Sequence, residues 1–156
     1  MHGRHRIRAQ SQPEPRGGVL SYLIDTNVLS ELRRKSPDPD VADWVSQRPP
    51  ATLYLSVLTL GEIRKGIDGA VDEGRRQVLR DWLETDLPTF FMGRILSVDA
   101  AVADRWGRLI AAAGRALPAI DSLLAATALE HDLVLVTRNV KDFAGLPVQL
   151  FNPWTT

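Results

Sequence analysis

The chain has 156 residues, is 44% hydrophobic, carries no formal net charge and contains no cysteine. That length supports one domain with a real core, and the composition excludes a disordered polymer. Lack of cysteine excludes disulfides, thiolate metal sites and cysteine nucleophiles. No stretch approaches the ~18 apolar residues of a membrane span, and residues 1–18 lack the apolar core of a secretory signal, so a cytoplasmic protein is expected.

In chain order, "MHGRHRIRAQSQPEPRGG" comes first: polar, interrupted by proline and glycine, and aperiodic. It reads as a flexible basic N-terminal arm over 1–18, with Arg4, Arg6, Arg8 and Arg16 against Glu14 alone. Such an arm is either a phosphate-touching tail or an inert extension. The remainder holds 15 basic and 18 acidic residues. A general nucleic-acid surface announces itself by excess positive charge, so any nucleic-acid role here must rest on a local site.

Residues 19–156 read as a single domain. "VLSYLI" is a strand, followed by Asp25 and the helix "TNVLSELRR", which "SPDP" closes. "DPDVADWVSQ" is a helix with Val41, Trp44 and Val45 inward and Asp38 or Asp40 as its cap. "TLYLS" is a strand and "SVLTLGEIRKGIDG" a helix. "DEGRRQVLRDWLETDLPTFF" is a longer helix that buries Val78, Leu79, Trp82 and Leu83. "RILSV" is a strand; "DAAVADRWGRLIAAAGRA" is a helix capped by Asp99, with Trp106 on its core face. "IDSLLAATALEH" is an alanine-rich helix suited to close packing. "LVLVT" and "VQLF" are strands, and Trp154 is the natural anchor of the chain end. Strands alternating with helices, one of them apolar on both faces, indicate a parallel sheet covered on both sides. In such sheets the functional crevice lies beyond the carboxyl ends of the strands. Asp25 follows one strand and Thr137-Arg138-Asn139 another; if those strands are neighbours, these residues meet.

Four acids stand where core packing does not require them. Asp25 caps its helix or binds a metal; position alone does not separate the two. In "LTLGEIRKG", Leu60, Ile63 and Ile67 share one helix face and Glu62 falls roughly opposite. Glu62 is then either a solvated glutamate or the wall of a cleft. Asp121 lies in a first helical turn, where an acid complements the helix dipole, yet it borders a close-packing alanine face. Asp142 is a surface acid or a fourth member of the set; Asn139, three residues earlier, caps a short turn or offers an oxygen. Oxygen donors from separate elements, without cysteine, suit Mg²⁺ or Mn²⁺, one or two ions per site. Such ions polarise phosphoryl oxygens and activate water. Zinc is disfavoured because His2 and His5 lie in the arm and His131 stands alone. The sequence has no phosphate-binding G-x-x-x-x-G-K-[ST], no dinucleotide glycine fingerprint and no G-x-S-x-G elbow.

"LIDTNVLSEL", "LTLGEIRKGI", "AIDSLLAATALEHDLVLVTRNVKDF" and "VQLFNPW" together resemble the PIN-domain ribonucleases. The likeness is strongest to the VapC toxins of VapBC pairs, in their FitB-like branch, and runs from about Tyr22 to Trp154. It implies an α/β/α sandwich with a small, mainly parallel central sheet, and an Mg²⁺- or Mn²⁺-dependent endoribonuclease leaving 3′-hydroxyl and 5′-phosphate ends. By position it makes Asp25, Glu62 and Asp121 the first three family acids. Some relatives place an acid where Asn139 stands, and Asp142 offers a carboxylate one turn on. Asp25 and Asp121 are the implied principal metal ligands, with Glu62 and Asp142 as further ones. Thr26, Asn27, Thr137 and Asn139 are candidate supporting polar groups; Arg64, Lys65 and Arg138 are candidate RNA phosphate contacts, or ordinary surface charge. A VapB- or FitA-like antitoxin partner, a homodimer, and DNA contact only through the antitoxin are implied too.

Two rivals remain. One is a catalytically weak binding component of an antitoxin–DNA regulatory complex, whose acids dock a basic peptide. Loss of one of the first three acids would favour it, and all three are present. The other is an aspartyl phosphatase, which wants a second aspartate two residues after Asp25; Asn27 stands there.

Overall fold

In the computed structural model, residues 20–154 are described, so the basic arm lies outside the described residues. The elements are β1 (Tyr22–Ile24), α1 (Thr26–Leu32), α2 (Pro39–Ser46), β2 (Leu53–Ser56), α3 (Val57–Gly69), α4 (Glu73–Asp81), α5 (Leu87–Phe90), β3 (Ile95–Leu96), α6 (Ala100–Ala113), α7 (Ala119–Glu130), β4 (Val134–Val136) and β5 (Leu150–Phe151). A π-helical segment, Trp82–Asp86, joins α4 to α5, and 3-10 turns cover Pro50–Thr52 and Val140–Phe143.

The strands form one parallel sheet in the order β3-β2-β1-β4-β5. Tyr22 stands opposite Leu53 on one side and Val134 on the other, and Ile24 opposite Val136. β1 is buried throughout because both faces are covered. Its side chains alternate between two cores, as strand geometry requires. Tyr22 and Ile24 join Trp44, Val136 and Phe151, whereas Leu23 joins Leu124, Leu135 and Phe143. The result is the α/β/α sandwich expected from strand–helix alternation.

The differences from the sequence-based expectation are local. The strands are shorter than their apolar runs, since β1 starts at Tyr22 and β3 keeps two residues. Asp38, not Asp40, caps α2, accepting from the backbone N–H groups of Asp40 and Val41. Asp99 caps α6 as expected, accepting from Val102. α6 ends at Ala113 because Gly114 adopts φ +70°, the left-handed cap that breaks a helix. The long helix expected over 72–91 is interrupted by the π segment. Leu83 is buried as expected, Leu79 and Trp82 are half-buried, and Val78 is 55% exposed; the extra residue per turn of the π segment puts Leu87 and Phe91 in line with Leu83 in the core. Trp106 is only half-buried, its indole N–H donating to Ser122 Oγ at 2.9 Å. Trp154 does anchor the chain end: it is 6% exposed and packs in the core with Trp44 and Phe151. Among the described residues, no helix is long and apolar enough to cross a membrane.

Candidate active site

Strand order builds the site. β1 lies between β2 and β4, so the segments leaving these three strands gather at one edge of the sheet. Asp25 leaves β1 with its backbone N–H still bonded to the Val136 carbonyl of β4, at 3.0 Å. The residues after β4 are thereby fixed beside it.

Asp25 is buried, 6% exposed, and both its oxygens are engaged. Oδ1 accepts the Thr26 N–H at 2.7 Å. Oδ2 accepts the Thr137 hydroxyl at 2.7 Å and, more distantly, the Asn27 amide at 3.5 Å. An ordinary N-cap serves the second or third helical N–H. Here only the first is served, and the other oxygen turns across the sheet to β4. Capping alone therefore does not account for Asp25. Burial pushes its carboxyl above the ordinary range, the bonds from Thr137 and Thr26 oppose that, and the charges of Glu62 and Asp142 add to the rise.

Glu62 is half-buried on α3 and lines the same cleft. The Thr26 hydroxyl donates to its Oε1 at 2.5 Å. The face of α3 opposite Ile63 and Ile67 thus looks into a cleft, not bulk water. Asp121, half-buried in the first turn of α7, also lines it. Burial raises its carboxyl, and the charges of Asp25, Asp142 and Glu62 raise it further. Asp142 is exposed, in the turn Val140–Phe143, and its charge is felt at both Asp25 and Asp121. Four carboxylates from four separate stretches of chain are thus brought into electrostatic contact.

The supporting polar groups form a network. Thr137, fully buried, gives its hydroxyl hydrogen to Asp25 and accepts from the Asn27 amide at 3.2 Å and the Asn139 N–H at 3.1 Å. Asn27 Oδ1 accepts the Arg138 N–H at 3.3 Å. Asn139 precedes the 3-10 turn without capping it through its side chain, and it lines the cleft.

The cleft is open, about 570 Å³ in volume. Arg138 lines it. Arg64 and Lys65 do not: the Arg64 guanidinium is bound to Glu84 at 2.6 Å, and Lys65 is exposed elsewhere on α3. Arg34 and Arg75 line the cleft in their place. Ser30 and Glu31 also line it, although the sequence did not single them out. Their signal was spacing: Glu31 is four residues beyond Asn27 on α1 and Ser30 three, hence on the same face. Glu31 serves the scaffold. Its carboxylate accepts the Asp38 N–H at 2.7 Å and pairs with Arg34 at 3.4 Å. The Asp38 N–H, outweighing desolvation, holds it below the usual range, with Arg34 and Arg138 contributing.

Among the described residues, no three histidine or acidic side chains already close into a ligand set. Threonine hydroxyls hold the inner oxygens of Asp25 and Glu62 instead. The donor chemistry nonetheless fits a hard divalent cation: the acidic set offers only oxygen, and its carboxylates raise one another in a way that a cation would relieve.

On the far side of α1, Leu32, Leu53, Trp82, Leu87 and Phe90 line an apolar groove of about 340 Å³.

Comparison with known proteins gives the same family. The PIN-domain model matches residues 22–147. The chain is 36% identical to toxin FitB of Neisseria gonorrhoeae over 135 residues, covering 85% of this chain and 97% of that one. It is 33% identical to VapC ribonuclease Y4jK of Sinorhizobium fredii over 135 residues, covering 85% and 96%. The crystal structure of FitAcB from Neisseria gonorrhoeae superposes with a TM-score of 0.81 at 35% identity, covering 86% of this chain and 99% of that one.

Proposed function

The chain belongs to the PIN-domain family, and on that premise we propose that it is a divalent-metal-dependent endoribonuclease, the toxin of a VapBC-type toxin–antitoxin pair. The observation that carries the reading is the meeting of Asp25, Glu62 and Asp121 in one cleft, with the charge of Asp142 alongside. The ribonuclease and toxin names of the relatives supply the substrate class.

Asp25 and Asp121 would hold an Mg²⁺ or Mn²⁺ ion, with Glu62 and Asp142 available to a second position. When bound, the ion supplies charge to the phosphoryl group and acidity to a coordinated water. The chain's own residues do the rest. Thr137 and Thr26 fix the orientation of Asp25, so that carboxylate needs little reorganisation. Thr26 likewise restrains Glu62, which would help position the metal or the attacking water. Asn27 and Thr137 tie the segment after β4 to α1 and so fix the width of the cleft on that side. The partner is a VapB- or FitA-like antitoxin, with a homodimer as the toxin's own state and DNA reached only through the antitoxin.

The test is cleavage of single-stranded and structured RNA with Mg²⁺, Mn²⁺ or EDTA. Metal-dependent hydrolysis that Asp25→Asn and Asp121→Asn each reduce at least ~10²-fold supports the mechanism. Cleavage that persists in EDTA, or full activity in Asp121→Ala, overturns it. A folded protein that cuts no RNA yet binds its antitoxin restores the binding-component reading.

A further inference from the structure

Arg138 follows β4 and Trp154 follows the neighbouring β5, and the two meet at the lip of the acidic cleft. The Arg138 guanidinium carbon lies 4.9 Å from the centre of the Trp154 ring, within cation–π range. Both residues line the cleft, and Arg138 is exposed. Trp154 is not: at 6% exposure it is part of the core and offers no face on which a base could stack. Its own backbone is fixed, the Trp154 N–H bonding to Asn152 Oδ1 at 2.9 Å. The Arg138 backbone is fixed too, by its N–H to Asn27 Oδ1. Among the described residues, Arg138 makes no direct ion pair; the Glu31 carboxylate feels its charge but pairs with Arg34.

A long arginine side chain normally loses considerable rotamer entropy when it is immobilised. Here the backbone N–H is tied to Asn27 and the guanidinium carbon already lies over the Trp154 ring before any ligand arrives. Among the described residues its guanidinium makes no hydrogen bond, and its fork of donors matches the geometry of a phosphate. The carboxylate floor repels RNA, so a cation held at its edge adds most where the backbone must cross into the acidic zone.

We propose that Arg138 is a preformed phosphate contact for RNA entering the cleft, and that Trp154 is a positioning residue acting through it. The proposal rests on the ribonuclease reading for its ligand and goes beyond it in making the Arg138 contact preformed and in giving Trp154 a positioning role. It gives the buried C-terminal tryptophan a duty besides anchoring the chain end.

The experiment measures binding of a short fluorescein-labelled single-stranded RNA by anisotropy, in Ca²⁺, over a series of salt concentrations. The full chain is used throughout. Arg138→Gln should weaken binding about tenfold and flatten the dependence of log affinity on log salt by ~0.7, one phosphate contact on a single strand. Arg138→Lys keeps the charge but not the fork, and should recover the slope but only part of the affinity. Trp154→Leu should weaken binding severalfold with every charge retained, and Trp154→Phe should recover most of it. In an Arg138→Gln background, Trp154→Leu should add almost nothing to the binding loss. A merely structural tryptophan would lower the melting temperature in both backgrounds and leave binding alone.

Wild-type affinity and slope in Arg138→Gln overturn the phosphate contact. Additive losses in the double variant overturn the positioning role. If Trp154→Leu does not fold, Trp154→Phe and the two Arg138 variants carry the test, because Arg138 is exposed and its replacement leaves the core intact. RNA cleavage in Mg²⁺ and Mn²⁺ is read in parallel. Binding that depends on Arg138 without any cleavage sinks the ribonuclease reading and leaves this proposal standing; cleavage indifferent to Arg138 does the reverse.

Discussion

Thr137 joins β4 to the strand-end aspartate, and its hydroxyl is the most informative single atom to remove. Thr137→Val is nearly isosteric, so it leaves no cavity, and the effect isolates hydrogen bonding. One bond is lost to a buried carboxylate, at 2.7 Å, which contributes about 1.5–3 kcal/mol when the acceptor is charged. The Asn27 amide and the Asn139 N–H lose their acceptor as well, at 3.2 and 3.1 Å. Both stand at the edge of an open cleft where water can replace it, so they add at most about 1 kcal/mol together. The expected cost is about 1.5–4 kcal/mol, or roughly 4–12 °C in melting temperature for a chain of this size. The assay is thermal and urea unfolding of the EDTA-treated protein at neutral pH, beside Thr137→Ser. Serine keeps the hydroxyl and should cost only about 1 kcal/mol for the lost methyl. The penalty for valine should shrink as pH falls and Asp25 takes up a proton, because a neutral carboxyl needs the donor less. A Thr137→Val protein within about 0.5 kcal/mol of wild type, or a serine variant as damaged as the valine one, would refute the reasoning.

Other expectations concern charge and helix phase. Asp121→Asn should raise the melting temperature of the metal-free protein at neutral pH, because Asp121 is raised by burial and by its three acidic neighbours. Its folded pKa lies above its unfolded value, so its stabilising contribution is complete below about pH 3.9 and is lost as pH rises through the folded value. The gain from asparagine should therefore be largest near pH 7 and disappear near pH 4, and a gain independent of pH would count against it. Divalent metal should raise the wild-type melting temperature more than that of Asp121→Asn, which thermal scans with and without Mn²⁺ will read. Glu31 has the opposite sign. Its lowered carboxyl stabilises above about pH 4.3 and loses that contribution as pH falls through its folded value. Glu31→Gln should thus be less stable at neutral pH and lose less on acidification, as acid titrations followed by circular dichroism would show. Deleting exposed Thr85 from the π segment should convert it to regular helix and turn Leu87 and Phe91 by about 100° out of the core. The expected loss exceeds that of Leu83→Ala, and an equal or smaller one in urea titration would discard the phase argument.

The distribution of acids along the sequence was informative because each sits at an element end or on a face left over by the core. Asp25 ends an apolar strand, Asp121 opens a helix, and Glu62 lies opposite Leu60, Ile63 and Ile67 on its wheel. Glu31 was not distinguishable as a scaffold residue, because its partner, the Asp38 N–H, belongs to a loop whose path no periodicity encodes. Arg64 and Lys65 follow Glu62 in the sequence, but neither lines the cleft. Two residues on, Arg64 is turned about 200° around the helix from Glu62, and it finds Glu84 there instead. Lys65, one turn on, lies nearer in angle but stays outside the cleft.

By itself, the sequence determined that strands and helices alternate, that the sheet is parallel and covered on both faces, and which side of each element is apolar. These features come from local steric and hydrophobic patterning, which each segment carries with it. Only the tertiary structure decided that β4 lies against β1, so that the Thr137 hydroxyl reaches Asp25, that the free face of α3 meets a cleft, and that Trp154 lies beneath Arg138. Periodicity specifies which way a side chain faces on its own element. Its neighbour across the gap depends on strand order and register, and these are set by the packing of both cores at once.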